Sequence, residues 1–365
     1  MNVVPLVFEP ILKPKIWGGR RLETVLGKRL PPGVAVGESW EIADLEEDQS
    51  VVRFGPAKGR RLGELVKDWG ADLLGRAPPV DGRFPLLIKF LDAADTLSVQ
   101  VHPDDAMAAR LGGSVRVKHE AWYVLDATPD GFIYRGVRDG VERHAFQRAV
   151  REKTVEASLR RLRAKTGHCF YLPSGTVHAL GAGVLVAEVQ TPSDITYRVF
   201  DFDRVESSTG RPRTLHIDEA MECMHFEPVP AECETPQHVA SLWTSVTSLV
   251  RCPSFVIERV RMVEGVEQVI PYEEMMIWMV LEGSGEVHCK ALGEPLRFQR
   301  GDTVLLPAAL KDARVRTLAP SLWLEVSVPV ESELKGFARP SRASLAPVAP
   351  GSTFVPLNIS PRAIP

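Results

Sequence analysis

The chain has 365 residues, 44% apolar and 25% charged, with a formal net charge of −3. These proportions describe a globular chain that buries a sizeable core in one large domain or two of ordinary size. They supply no strong basic field for nucleic acid or an anionic membrane, so a phosphorylated ligand needs a local cluster of cations.

The opening segment, Met1–Pro10, lacks the basic start and apolar run of a signal peptide, and the longest apolar run, Met275 to Leu281, is far too short to span a bilayer. The cytoplasm is therefore the expected address. Glycine (28) and proline (29) punctuate the whole chain. Between them lie short runs rich in Val, Ile, Leu and aromatics, among them Phe84–Phe90, Ala121–Leu125, Phe132–Tyr134, His168–Leu172 and Val184–Val189. The runs continue through Met276–Leu281, Thr303–Leu306 and Leu322–Val328. Short strands broken by such turns predict a mainly β protein, a barrel or sandwich.

Leu97 to Asp105 is the first segment with chemical content. Period-two alternation places Ser98, Gln100 and His102 on one strand face and Leu97, Val99 and Val101 on the other. Three polar side chains on one face need partners if buried, so that face is wet or binds something. Asp104–Leu111 follows with the acidic start of a helix. Val117–Leu125 then brings Lys118 and Glu120 to one face at the mouth of an apolar strand. His144–Lys165 is rich in Ala, Arg, Glu and Leu at roughly helical spacing and predicts a small helical insertion near 143–165, divided at Thr154. Its arginines read as a solvated face.

Gly167-x5-Pro173-x-Gly175-x2-His178 has the spacing of the second cupin motif, except that its final Asn is Ala182 here. The first motif is degraded, with Gln100-x-His102 in place of His-x-His. Gln100, His102, Glu120 and His178 are thus four candidate metal ligands. Two neutral imidazoles and a carboxylate suit Zn²⁺, leaving a net charge of about +1, although the set also admits iron or manganese. In Val186–Arg198, Glu188 and Gln190 share a strand face and Thr191–Asp194 reads as a turn. Arg198 follows, and a guanidinium fork is the natural reader of phosphate or oxyanion charge. The remaining histidines, His119, His144, His168, His216, His225, His238 and His288, read as structural or surface residues.

Pro228–Gln237 looks like a connection. Beyond it, Gly301-x5-Pro307-x-Ala309-x2-Asp312 repeats the earlier motif spacing, which suggests two barrels in tandem. Asp312 stands where the motif has His, so the second barrel is expected to bind no metal. The expected division is 1–230 for a metal-binding barrel, 231–337 for a second barrel and 338–365 for a Pro-rich tail. The five cysteines, Cys169, Cys223, Cys233, Cys252 and Cys289, are odd in number and form no C-x-x-C pair. That argues against a disulfide framework or a cysteine zinc finger.

Leu97–Asp105, Lys118-His-Glu120, Leu172–Leu180 and Asp194–Arg198 together resemble type I mannose-6-phosphate isomerases. Lys15-Ile-Trp-Gly-Gly19 and Gly37-Glu-Ser-Trp-Glu-Ile42 resemble that family's N-terminal segments. The resemblance implies tandem cupin (jelly-roll) barrels and one zinc ion per chain on Gln100, His102, Glu120 and His178. It places Arg198 at the active-site arginine position, Ser98 and Lys118 in the substrate pocket, and Glu188 and Asp194 as acidic neighbours of the site. It implies interconversion of mannose 6-phosphate and fructose 6-phosphate through a cis-enediol, in a monomer or small homo-oligomer without nucleic acid or membrane. Glu188, a metal-bound hydroxide and Lys118 are alternative bases. The competing readings are another cupin metalloenzyme, such as an iron-dependent dioxygenase, and a non-catalytic sugar-binding regulatory module.

Overall fold

The structure is a computed structural model that describes residues 3–330 apart from 114, 207–208 and 230–237. The expected tail and most of the expected connection at 228–237 lie outside the described residues. Among those described, no helix is long and apolar enough to cross a membrane.

Four antiparallel sheets carry the fold. The first, in spatial order, joins Ile11–Gly19, Val36–Ile42, Leu87–Ala93, Val184–Gln190, Glu120–Ala127 and Cys169–Leu172. A second sheet joins Tyr197–Phe200, Val99–Val101, His178–Leu180, Phe132–Val137 and Leu159–Arg163. Leu91, Trp122, Phe170 and Val186 of the first sheet pack with Ile133 and Leu180 of the second in one buried cluster. These two sheets enclose the candidate site.

The other pair forms a similar layered unit. A seven-stranded sheet runs from Leu6–Val7 at one edge to His238–Ala240 at the other, and a four-stranded sheet closes over it. Trp278, Val304 and Trp323 of the larger sheet meet Val287, Phe298 and Val315 of the smaller. Leu6 pairs with Leu305 and Val7 with Val304, so the N-terminal strand lies in the second pair of sheets rather than with the segment that follows it. The division expected at 230 therefore omits one strand of the second unit.

The six- and seven-stranded sheets also pack on each other. Ile88, Phe90, Leu185, Ala187 and Val189 meet Ile257, Ile277, Met279, Leu324 and Val326. Fully burying each such side chain contributes about 1.5–3 kcal/mol. This contact explains why Val36–Ile42, Leu87–Ala93 and Val184–Gln190 are buried at every residue. Alternation sends Ile88, Phe90, Leu185, Ala187 and Val189 to the sheet interface and Glu38, Trp40, Lys89, Leu91, Val186, Glu188 and Gln190 into the first barrel.

Helices are few, and two of them cover the outer face of the second sheet, where Phe146, Val150, Ala220 and Met221 pack on Val99, Val101, Ala179 and Val199. The segment expected to be helical over 143–165 is helical only at Arg143–Arg151. Val155–Ser158 is a single 3₁₀ turn, and Leu159–Arg163 is a strand paired with Phe132–Val137. Its Leu-Arg-Arg-Leu-Arg sequence mimics a helix pattern, but an open sheet edge captures it. Leu62–Trp69, whose Leu62, Leu65, Val66 and Trp69 are buried, is a helix the sequence reading did not anticipate.

Candidate metal centre

The sharp turn at Pro173–Thr176 delivers one ligand. Gly175 has φ +82°, a conformation that suits glycine, and a Cβ there would stand 2.5 Å from the His225 ring. The Gly175 amide donates to the His102 carbonyl at 3.0 Å, tying the turn to the strand that carries a second ligand. Register completes the assembly. His178 lies opposite Gln100, and Gln190 lies opposite Glu120.

His102, Glu120 and His178 converge, each buried, with one potential ligand atom apiece, all within 4.8 Å of one another. The His102 Nε2 is 3.3 Å from Glu120 Oε1, and the His178 Nε2 is 3.1 Å from Glu120 Oε2. Nδ1 of His102 faces the Ile195 carbonyl at 2.9 Å, and Nδ1 of His178 faces the Thr176 carbonyl at 2.8 Å. A carbonyl can only accept, so each Nδ1 carries the proton and each Nε2 turns a lone pair inward. Burial, then the nearby Lys118, depresses the His102 pKa to about 3, so this imidazole is neutral. Burial opposes ionisation of Glu120, but the adjacent Lys118 outweighs it and holds the carboxyl well below its usual range.

The result is two imidazole lone pairs aimed at a carboxylate. His102 Nε2 and Glu120 Oε2 are buried without a hydrogen-bond partner. Orphaned buried acceptors cost roughly 1–3 kcal/mol each, and a cation at their centre removes that cost. Gln100 lies beside the group, with an amide nitrogen 3.4 Å from His178 Nε2. The amide orientation follows from the hydrogen-bond network alone, and its reverse offers the oxygen at the same place. The donor set therefore fits a borderline divalent metal.

Beside the ligands, Lys118 Nζ reaches Glu120 Oε1 at 2.7 Å. Ser98 Oγ accepts from Arg198 Nε at 3.3 Å, and Arg198 lies opposite Gln100 in register. Arg198 also lines an open cavity of about 530 Å³ with Glu206, Thr209, Arg211, Pro212, Arg213 and Thr214.

Comparison with known proteins gives this geometry its family. Residues 6–127 match the family described as phosphomannose isomerase type I, catalytic domain. The mannose-6-phosphate isomerase ManA of Bacillus subtilis is 34% identical over 320 residues, spanning 87% of this chain and 98% of that protein. The chain belongs to the type I phosphomannose isomerase family. The mannose-6-phosphate isomerase of Streptococcus mutans is 35% identical over 309 residues, 84% of this chain and 93% of that one. The crystal structure of the mannose 6-phosphate isomerase from Bacillus subtilis aligns with a TM-score of 0.79 at 31% identity, covering 89% of this chain and 99% of that one.

This family member carries a buried ionic chain that sequence reasoning missed. Lys89 Nζ lies 3.4 Å from Glu188 Oε2 and 3.8 Å from Glu38 Oε2, and above the Trp40 ring at 4.8 Å. Trp40 Nε1 donates to Glu38 at 2.6 Å, and Trp122 Nε1 donates to Glu188 at 2.7 Å. Burial raises the Glu188 pKa, with Lys89 opposing and the charge of Glu120 adding to the rise. One signal was available: a lysine inside the apolar run Phe84–Phe90. Asp194, expected near the site, is exposed, and its charge helps raise the pKa of Lys89, where burial acts in the opposite direction and Glu188 and Glu38 attract more strongly. His216, read as structural, donates its backbone amide to the Arg198 carbonyl at 2.8 Å.

Proposed function

We propose that this isomerase interconverts mannose 6-phosphate and fructose 6-phosphate with one zinc ion held by Gln100, His102, Glu120 and His178. The observation that carries the reading is the inward convergence of two imidazole lone pairs on a carboxylate with no proton between them. When bound, the cation supplies Lewis acidity for a substrate oxygen.

The chain's own residues do the rest. Moving a proton between C1 and C2 requires a base within hydrogen-bond reach of a carbon acid. Glu188 is the better candidate: its carboxyl is buried, lifted above the usual range, and aimed by Trp122 and Lys89. Lys118, on the other wall, presents an ammonium to Glu120 and is placed to donate to a substrate oxygen. Arg198 stands where a phosphate would meet the open cavity, whose lining carries Arg198, Arg211 and Arg213 against the single acid Glu206. Ser98 steadies that guanidinium.

Metal analysis of the purified protein, with a coupled assay of mannose 6-phosphate turnover before and after chelation, tests the reading. About one zinc per chain and activity that falls on chelation and returns with zinc are expected. Full turnover in metal-free protein refutes it, and oxygen consumption with Fe(II) supports the dioxygenase alternative instead.

A further inference from the structure

Arg198 is held by two groups, and both trace back to one carboxylate. Its Nε donates to Ser98 Oγ at 3.3 Å, and its Nη1 donates to the Thr214 carbonyl at 2.8 Å. No acceptor among the described residues takes its Nη2. Asp201, three residues on and buried, accepts from Arg213 Nε at 2.8 Å and Arg204 Nη2 at 2.6 Å. Arg213 is the residue before Thr214. Arg204 also donates to the Thr96 carbonyl, two residues before Ser98. Two short paths therefore run from Asp201 to Arg198, one through Arg213 and Thr214 and one through Arg204, Thr96 and Ser98.

We infer that Asp201 is a positioning residue of the isomerase site, whose carboxylate sets Thr214 and Ser98 and thereby aims Arg198. The inference rests on the functional reading above. Among the described residues Asp201 makes no hydrogen bond to His102, Glu120 or His178; it acts only on where the guanidinium points. Its two oxygens engage Arg204 and Arg213, and Arg198 keeps an Nη2 to turn toward an anionic group.

A double-mutant cycle tests this, read as kcat/KM for mannose 6-phosphate in metal-loaded protein with zinc content checked. Asp201→Asn keeps the shape and removes the charge. It should lower kcat/KM by about 10- to 100-fold without loss of zinc. In an Arg198→Ala background the same change should cost less than about threefold, because the residue it serves is gone. Asp92→Asn is the structural control. That carboxylate is likewise buried and arginine-held, by Arg21 at 2.9 Å, and among the described residues it makes no hydrogen bond to Arg204, Arg213 or Thr214. It should leave kcat/KM within about threefold of the parent. If Asp201→Asn fails to fold, Arg213→Gln, which spares the Arg204 bond, enters the same cycle. Additive losses, or equal losses from Asp201→Asn and Asp92→Asn, overturn the inference alone. An Arg198→Ala protein with undiminished kcat/KM overturns the assigned role of Arg198 and the inference with it.

Discussion

Replacing Lys89 by Met tests the buried ionic chain most directly. Methionine keeps the stem that packs over Trp40 and removes only the charge. Lys89 attracts Glu188 across 3.4 Å and Glu38 across 3.8 Å. At an effective dielectric of about 20 each attraction is of order 4–5 kcal/mol, before desolvation of the ammonium is subtracted. Glu38 gives an independent measure. Burial pushes its pKa up, yet Lys89, Lys15 and Trp40 bring it from 4.5 down to about 2. That shift corresponds to stability of order 3 kcal/mol. Because the folded-state value is depressed, this stability is fully present above pH 4.5 and is lost as pH falls toward 2. The Lys89 pKa is raised by its carboxylates, so its own contribution is present throughout neutral and acid pH. Lys89→Met should therefore lower the unfolding free energy by about 3–5 kcal/mol near neutral pH, the usual cost of orphaning buried partners. The deficit should shrink in acid, as the stranded carboxyls take up protons. Urea unfolding of metal-free protein, at neutral pH and again near pH 4, provides the measurement. A variant within about 0.5 kcal/mol of the parent near neutral pH, or a deficit that does not change with pH, would show that charge plays no part there.

His102 makes a second acid-sensitive contribution: its folded-state pKa of about 3 lies below the ordinary 6.5, so metal-free protein should lose stability as pH drops from about 6.5 toward 3. His102→Asn should flatten that limb in pH-dependent unfolding. Gly175→Ala must hold a side chain at φ +82° and displace the His225 ring, so it should cost about 1–3 kcal/mol and weaken zinc affinity in a competition titration. Trp122→Phe removes the indole donor to Glu188 but keeps the ring edge that meets His178 at 5.3 Å. Its pH–rate profile should move while its zinc content stays unchanged.

The convergence of His102, Glu120 and His178 was legible because its geometry is local chemistry written in sequence. Gly175 and Pro173 enforce a turn, and alternation fixes which residues of Leu97–Asp105 and Val117–Leu125 share a face. Lys89 was not legible in the same way. Its partners Glu188 and Glu38 lie in other strands, and only the register Glu188 to Lys89, with Trp40 also opposite Lys89, joins the three residues into a chain. Leu159–Arg163 failed for a related reason. Arginines at 160, 161 and 163 satisfy a helix or an edge strand equally well, and the free edge of Phe132–Val137 decides between them. The link from Asp201 to Arg198 was invisible to spacing, because two arginines from a long loop carry it.

The two pairs of sheets show what separates a scaffold from a site. Glu188 lies opposite both Lys89 and Trp122, and Glu325 lies opposite both Glu258 and Trp278. Glu120 pairs with Leu172 as Met276 pairs with Leu306, so Met276 occupies the equivalent of the metal-binding carboxylate. The same framework of glutamate and tryptophan is thus present twice, but only one copy has a lysine to balance it. In the other, burial and Glu258 raise the Glu325 carboxyl, while Tyr272 and Trp323 donate to it. A buried carboxyl that accepts from a phenol and an indole is a satisfied core group. The difference between Lys89 and Glu258 is one charge reversal. Burial lifts both glutamates above the ordinary carboxylate range, but only Glu188 has a lysine that opposes the rise. With it, the glutamate can ionise next to a second carboxylate, Glu120, which a cation site also requires. On this view the lysine is the precondition for both the metal centre and a base beside it, and Lys89→Met should make the first barrel behave electrostatically like the second.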